Sequence, residues 1–306
     1  MKREGGFALI AVLLVMAMVG VIGAEFAYSM RLEATSVRAY KDSLVGAHLA
    51  EAAVEQAIRE IAGDGAYVAT DDDGMLTFYT RDRRRLKRLP RDKVPLGHGH
   101  FSYRLSDEEA RLNLNTASPD SVGRLFEALG IDKIERDGII ASIQDWRDPN
   151  EDHRLNGAES EDTYLKLPLP YRSKNANFDS VNELLQVKGV TPAMLAGADG
   201  KPGLADVVTV KTPGQVNINT AGPLVMRALN VSDAEYSEIV QSRREIPYVN
   251  VGRFGNRGLS ATTRTYRVEA EGIVDGQVRA RITAILQKRA DDGSEAVAVL
   301  EWSGIR

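Results

Sequence analysis

The chain has 306 residues, 43% of them hydrophobic and 27% charged, so it is long enough for two or three cores and too polar for a polytopic membrane protein. Its formal net charge is −4, from 39 basic and 43 acidic residues, which argues against a protein whose whole surface binds nucleic acid. It contains no cysteine, which excludes disulfides, thiolate metal sites and cysteine nucleophiles.

The first predicted element is a long N-terminal helix. Residues 7–24 form an 18-residue run without a charge, and a helix of that length spans about 27 Å, close to the hydrocarbon thickness of a bilayer. Lys2 and Arg3 precede the run, which favours a single-pass anchor with a cytoplasmic N terminus over a cleaved secretory signal. Residues 25–62 lack proline and keep helical spacing, so the helix is predicted to continue outside the membrane as an amphipathic rod.

Four segments alternate between apolar and polar residues and are predicted to be strands: residues 100–105, 265–274, 277–286 and 296–302. Asp275-Gly276 is a hairpin signal between two of them. We expect one antiparallel sheet that packs on the exported half of the N-terminal helix. The eight basic residues between Arg81 and Lys93 are interpreted as a solvated loop, because no aromatic side chains alternate with them.

Between the strands, the chain has helical character and repeats itself. Asn113-Leu114-Asn115-Thr116-Ala117 recurs as Asn217-Ile218-Asn219-Thr220-Ala221, and each copy is followed by an apolar helix and a tight turn. A third turn of this kind lies in residues 184–190. The pattern resembles helix-hairpin-helix units, which in DNA-binding proteins hold phosphates with glycine-rich turns. Here the second glycine of that turn is replaced in all three copies, by Asp132, Thr191 and Ser232, which favours an architectural use.

The N terminus resembles a type IV prepilin leader, since a short basic segment ends in Gly6 and is followed by Phe7 and the apolar helix. The resemblance implies cleavage after Gly6 by a prepilin peptidase and methylation of Phe7. Pilins and most pseudopilins carry Glu at the fifth mature position, where this chain has Ala11. Its absence is characteristic of the K-type minor pseudopilins of type II secretion systems, the general secretion pathway protein K family.

The order of segments along the whole chain is similar to that family. The resemblance implies an α+β, type IV pilin-like fold, with a long N-terminal helix on an antiparallel sheet and a large all-helical insertion of the helix-hairpin-helix or SAM-like kind. We expect a leader at residues 1–6, a membrane segment at 7–24, the periplasmic half of the helix at 25–62, a pilin-like domain at 63–106 and 258–306, and the inserted domain at 107–257.

An acidic segment is the candidate metal site. Residues 145–162 hold seven carboxylates and two arginines, and carboxylate and amide oxygens are the ligands that calcium prefers. The spacing is not that of an EF-hand loop, which has glycine at position six and glutamate at position twelve, and a solvated acidic loop is the simpler alternative. The resemblance implies structural calcium, with Asp145, Asp148 and Glu159 as the main ligands and Asn150, Asp152 and Asp162 as further ones.

The chain contains no P-loop, no Gly-x-Ser-x-Gly and no His-Glu-x-x-His, so we expect no enzymatic activity. The resemblance implies a minor pseudopilin at the tip of the periplasmic pseudopilus, needed to initiate its assembly and to export folded proteins. Its partners would be the I- and J-type minor pseudopilins, the major pseudopilin, the prepilin peptidase, the inner-membrane platform and membrane lipid. The alternatives are a membrane-anchored DNA-uptake factor and a calcium-dependent adhesin-like tip.

Overall fold

A computed structural model describes residues 5–71, 73–289 and 296–304, with side chains from residue 8 onward. The helices are α1 (Gly5–Ala62), α2 (Pro119–Ala128), α3 (Lys133–Arg147), α4 (Pro192–Ala196), α5 (Leu204–Val207), α6 (Pro223–Ala228) and α7 (Asp233–Glu245). The strands are β1 (Tyr67–Thr70), β2 (Leu76–Tyr79), β3 (Val94–Leu96), β4 (Gly99–Asp107), β5 (Leu112–Asn113), β6 (Val208–Thr209), β7 (Val216–Asn217), β8 (Leu259–Ser260), β9 (Thr265–Val274), β10 (Gln277–Lys288) and β11 (Val297–Gly304).

Helix α1 has two halves with different environments. Its N-terminal half has an 18-residue window of mean hydropathy 2.5, apolar enough to cross a membrane, and its side chains are exposed up to Lys41. The C-terminal half buries a row of small and apolar residues that includes Ala50, Ala53 and Ala57. One continuous helix therefore connects an exposed apolar segment to a segment that packs in the body of the protein.

The packed body is a five-stranded antiparallel sheet in the order β11-β10-β9-β4-β3, with α1 against one face. Strand β4 pairs with β9 from Gly99↔Val274 to Asp107↔Tyr266, and β9 turns into β10 at Asp275-Gly276. The predicted antiparallel sheet and the α+β fold class are confirmed.

The segment between α1 and β4 holds more structure than the sequence predicts. Strands β1 and β2 form a separate hairpin, and β3 pairs with β4 at the edge of the large sheet. Within the basic stretch, Arg91 is buried and donates two hydrogen bonds to Glu60 of α1, at 2.7 and 3.0 Å. The interpretation of this stretch as a solvated loop is therefore wrong for Arg91, and it fits exposed residues such as Arg83 and Lys87.

The helical domain is built from two copies of one unit. In each, the first asparagine of the repeat accepts a hydrogen bond from the backbone N–H of the second, at 2.8 and 3.0 Å. The second asparagine binds both the N–H and the C=O of an aromatic residue further along the chain. The matching residues are Asn113, Asn115 and Phe178 in the first unit and Asn217, Asn219 and Tyr248 in the second. The second asparagine of each repeat therefore connects the start of its unit to a later segment of the chain.

The helical domain leaves the sheet at Asp107 and returns at Thr265, so both connections lie at one end of β4 and β9. That end is close to the end of α1, because Lys288 Nζ donates to the Gly63 carbonyl at 2.6 Å. The opposite end of β4, at Gly99, lies against Leu49. The inserted domain is therefore attached at the end of the body furthest along α1 from its apolar half.

Three consecutive buried carboxylates form this attachment. Asp107 accepts hydrogen bonds from Asn217 at 2.7 Å, Thr220 at 2.6 Å and Thr263 at 2.7 Å, which lie in the helical domain and in the returning chain. Burial raises the pKa of Asp107 to about 6. The carboxylate is thus satisfied by hydrogen bonds from neutral donors.

Glu108 and Glu109 complete the attachment. Glu108 is fully buried and accepts two hydrogen bonds from Arg267 of β9, at 2.8 and 2.9 Å, and one from Thr209 of the helical domain. Glu109 Oε1 accepts from the backbone N–H groups of Arg264 and Thr265. Each carboxylate therefore joins chain segments that are far apart in sequence.

Replacing Gly272 with alanine is predicted to destabilise the body. A Cβ at Gly272 would overlap the Gly46 carbonyl oxygen where α1 crosses β9, and a backbone atom cannot move aside as a side chain can. We expect a loss of at least about 2 kcal/mol. The control is Gly123→Ala in α2, where a Cβ meets only Ile140 at 3.5 Å, and which should be neutral or stabilising by about 0.5–1 kcal/mol. Chemical denaturation of the detergent-solubilised chain measures both, and equal effects would contradict this prediction.

The raised pKa of Asp107 predicts that the stability of the folded chain depends on pH. Its pKa is raised from 3.8 to about 6 in the folded chain, so between these values the folded state binds more protons than the unfolded state. Its contribution to stability is therefore greatest at low pH and falls by up to about 3 kcal/mol as pH rises from 4 to 6. The stability advantage of the natural chain over Asp107→Asn should shrink over that range. Asp120→Asn, at an exposed aspartate, is the control, and parallel pH profiles for all three chains would contradict this prediction.

Candidate functional site

The acidic segment lies in an extension of the first helical unit. Arg147 and Arg243 are equivalent, since each donates to a backbone carbonyl inside its own repeat. Thirty residues separate Arg147 from Phe178, whereas four separate Arg243 from Tyr248. The candidate site is therefore an addition to one copy of a unit whose other copy folds without it.

An aromatic cluster holds this extension against the domain. The Trp146 ring lies 5.4 Å from Tyr164, edge to face, and 6.4 Å from Phe178, stacked. Tyr164 in turn stacks on Tyr171 at 5.2 Å. Since Trp146 precedes the extension and the other rings lie within it or at its end, the loop is packed at several points along its length.

Asp145 is fully buried at the end of α3. Its carboxylate accepts hydrogen bonds from the backbone N–H of Ala158 at 2.9 Å and of Arg154 at 3.1 Å, and from the Arg154 guanidinium at 2.7 Å. The backbone comes so close that a Cβ at Gly157 would overlap Asp145 Oδ2. Asp145 therefore organises residues 154–158 around itself.

The remaining predicted ligands follow in order. Asp148 pairs with the Arg154 guanidinium. Asn150 and Asp152 lie on the exposed part of the loop, and the Asn150 side chain accepts from the Asp152 N–H at 2.8 Å. Asp162 accepts from the Glu159 N–H at 3.0 Å. Across residues 5–71, 73–289 and 296–304, no three carboxylate or imidazole groups are placed to hold a metal ion together.

Glu159 is the predicted ligand with an unusual environment. The residue is 1% exposed; its Oε2 accepts from Ser173 at 2.6 Å, whereas its Oε1 is buried without a hydrogen-bond partner. Burial raises the pKa of Glu159, and the negative charges of Asp145 and Glu151 raise it further. A buried carboxylate oxygen without a donor is costly unless a cation compensates it. A carboxylate oxygen is a ligand that calcium accepts, although the carboxylates of the described residues are not grouped around one point.

Sequence reasoning missed several residues at this site. Asn175 Nδ2 donates to Glu151 Oε1 at 3.1 Å, and Asn175 Oδ1 is a second buried oxygen without a partner. Ser173 and Asn175 lie outside the acidic segment, so charge counting cannot find them. Arg154 is one of the two arginines of the acidic segment, and its position between Asp145 and Asp148 follows only from the fold.

The helix-hairpin-helix turns are closed by the chain's own side chains. Gly130, Gly189 and Asn230 adopt the left-handed conformation that such turns need, with φ of 83°, 89° and 59°. At the helix starts that follow, the Asp132 carboxylate accepts from the Ile134 N–H at 3.0 Å, and the Ser232 hydroxyl caps α7. A phosphate at the first turn would therefore meet a carboxylate, and the structure gives the DNA-binding alternative no specific support.

The predicted processing site lies at the start of α1. Residues 1–4 of the predicted leader lie outside the described part of the chain, and the Gly6–Phe7 bond falls within the first turn of the helix. Ala11 lies about one turn further along, on the exposed apolar half of α1.

Comparison with known proteins identifies relatives along most of the chain. Residues 104–199 match the family model described as type II secretion system (T2SS), protein K. Type II secretion system protein K of Pseudomonas aeruginosa is 27% identical over 95% of this chain and 90% of its own length. A putative type II secretion system protein K of Escherichia coli K12 is 26% identical over 79% of this chain and 76% of its own length.

The fold has a solved counterpart. A chain from the crystal structure of the GspK-GspI-GspJ complex of the enterotoxigenic Escherichia coli type 2 secretion system superposes with a TM-score of 0.65. At 16% identity, the match covers 90% of this chain and 99% of that one, and it shows that the fold is shared. The predicted resemblance is therefore confirmed: this chain is a relative of type II secretion system protein K, with a protein K domain at residues 104–199.

Proposed function

We propose that the protein is a minor pseudopilin at the tip of the periplasmic pseudopilus of a type II secretion system, where it initiates assembly and supports export of folded proteins. The observation that carries this proposal is the position of the helical domain. It is attached through Asp107 and Thr265 at the end of the sheet that lies next to the C-terminal end of α1. A domain in that position obstructs the addition of another subunit beyond it.

The face of α1 turned away from the sheet supports the same position. Phe26, Met30, Val37 and Leu44 follow one another at helical spacing, and all are exposed, with Glu33 as the single interruption. The same row continues with His48, Glu51 and Glu55. This face suits contact with apolar helices up to Leu44 and contact with water beyond it, as expected for a subunit whose upper half has no neighbouring helix.

Ala11 adds a second argument. A carboxylate within the bilayer is costly unless it is paired, and in a fibre its partner would be a charged group of the next subunit. Ala11 needs no partner above it, which suits the last subunit of a fibre.

The proposed location is the bacterial inner membrane, with residues 7–24 as a single span, the N terminus in the cytoplasm and the rest of the chain in the periplasm. The proposed partners are the I- and J-type minor pseudopilins, the major pseudopilin and the inner-membrane platform. We propose no catalytic role, since assembly through helix and domain surfaces accounts for the features described above.

We further propose that calcium is a structural cofactor of the acidic extension. The unpartnered Glu159 oxygen and the nearby negative charges of Asp145, Glu151 and Asp148 support this proposal. Bound calcium would offset the repulsion between the carboxylates and add to the aromatic contacts and the hydrogen bonds around Asp145 that hold the loop.

Cysteine cross-linking tests the assembly proposal. Because the chain has no cysteine of its own, single substitutions report one position each. Val37→Cys, on the apolar part of the outward face, should cross-link to cysteines in the N-terminal helices of the I- and J-type subunits. Glu55→Cys lies on the same face above Leu44 and should cross-link little, although this position is exposed too. Equal cross-linking at both positions would contradict a tip location.

Processing supplies an independent prediction. The membrane-extracted protein should begin at Phe7 and carry one added methyl group when a prepilin peptidase is present, and begin at Met1 when it is absent. Intact-mass measurement with N-terminal sequencing distinguishes the two forms. A Met1 start in both samples would contradict the pilin-like pathway.

A further inference from the structure

We propose that the open edge of strand β4 at Leu105 binds a short extended segment of a partner protein, which adds to the sheet as one more antiparallel strand. The segment places an apolar side chain in the adjoining cavity and a carboxylate opposite Arg104. This inference concerns the junction between the sheet and the helical domain, and it depends neither on the tip position nor on calcium.

Strand β4 is longer than the strand that covers its outer edge. It has nine residues, and β3 pairs with only the first three of them. One further backbone hydrogen bond follows, from the Tyr103 N–H to the Arg91 carbonyl at 2.9 Å. The chain before Arg91 lies next to β2 instead, since the Leu86 N–H donates to the Phe78 carbonyl at 2.9 Å. The C-terminal part of β4 is therefore an edge that no strand of the described residues covers.

Leu105 lies in the middle of this open edge. Alternate residues of an antiparallel strand direct their backbone N–H and C=O groups to the same side. Because the Tyr103 N–H points to Arg91, the N–H and C=O of Leu105 also point away from β9. Neither group has a hydrogen-bond partner among the described residues. The gap ends at Asp107, whose carbonyl accepts from the Arg111 guanidinium at 3.3 Å.

Burial makes this unpaired backbone unusual. Leu105 is 2% exposed, and the great majority of buried backbone N–H and C=O groups in folded proteins are hydrogen-bonded. One residue of an antiparallel strand supplies the matching C=O and N–H together. An extended peptide backbone is therefore the ligand that satisfies both groups of Leu105 at once, as in other cases of strand addition to a sheet edge.

A cavity next to Leu105 can hold a side chain of the added strand. Its volume is about 400 Å³, and it lies between the sheet, the β1–β2 hairpin and the helical domain. Leu76 of the hairpin and Val207 and Val225 of the helical domain are buried apolar residues of its wall. An apolar side chain would be removed from water there, which is favourable. The bound segment would therefore contact the sheet and the helical domain together.

Arg104 gives the site a positive charge. Its side chain is exposed, and it forms no hydrogen bond or ion pair with the described residues, including Glu269 opposite it on β9. It lines both the cavity and a neighbouring groove of about 490 Å³. Adjacent residues of a strand point to opposite faces. A segment with an acidic residue next to its apolar residue can therefore fill the cavity and pair with Arg104.

Binding of a designed peptide to the full-length, detergent-solubilised chain tests this proposal. The probe is a fluorescein-labelled peptide of sequence Thr-Thr-Val-Glu-Val-Thr, followed by fluorescence anisotropy. We expect saturable binding. Hydrogen exchange of the Leu105 amide, which has no partner in the free chain, should become slower when the peptide is bound.

N-methylation of the peptide tests the strand pairing itself. Each backbone nitrogen is methylated in turn, which removes one donor and leaves every side chain in place. Because alternate N–H groups of the added strand face β4, affinity should fall about tenfold at alternate positions and change little between them. Equal losses at all positions would overturn the pairing.

A charge substitution tests the role of Arg104. Arg104→Gln should weaken binding of the glutamate peptide about threefold and leave binding of the matching glutamine peptide unchanged. Arg281→Gln is the control, since Arg281 is another exposed arginine of the sheet and pairs with Glu271. It should change neither affinity. Equal effects of Arg104→Gln on both peptides would overturn the charge pairing.

Two further outcomes would overturn the whole proposal. One is the absence of saturable binding by the natural chain. The other is slow exchange of the Leu105 amide before any peptide is added, since another part of the chain or a second copy would then already cover this edge.

Discussion

The attachment of the helical domain to the sheet depends on three consecutive buried carboxylates, Asp107, Glu108 and Glu109. Each accepts hydrogen bonds from a segment that is distant in sequence, including Asn217 of the second repeat and Arg267 of β9. Removing one partner of such a buried group leaves a charge or dipole without compensation, which costs several kcal/mol. These contacts keep a large domain fixed above the end of α1, and the proposed tip position requires that rigidity.

Buried carboxylates that accept hydrogen bonds also hold the acidic extension in place. Asp145 accepts hydrogen bonds from backbone N–H groups and forms an ion pair with Arg154. One oxygen of Glu159 has no hydrogen-bond donor. The second helical unit folds without such an extension, because Arg243 and Tyr248 are only a few residues apart. The extension is therefore an addition to one of two similar units, and the other unit lacks it.

Local sequence patterns predicted the elements that depend on local chemistry. The apolar run to Ala24, the alternation in β9 and β10 and the Asp275-Gly276 turn led directly to α1 and the sheet. The repeated asparagines were visible, but their partners Phe178 and Tyr248 lie 63 and 29 residues away, and no local pattern connects them. The same limit applies to the burial of Arg91 against Glu60 and to the position of Arg154, since both depend on tertiary contacts.

The tip position is the central claim, and direct localisation tests it best. A small gold-binding tag on the exposed α3 residue Ile134, which is 86% exposed, would mark the helical domain in pseudopili assembled with the natural partners. We predict one label per fibre, at the end furthest from the membrane. Labels distributed along the fibre would contradict the account, because the helical domain would then not block the addition of further subunits.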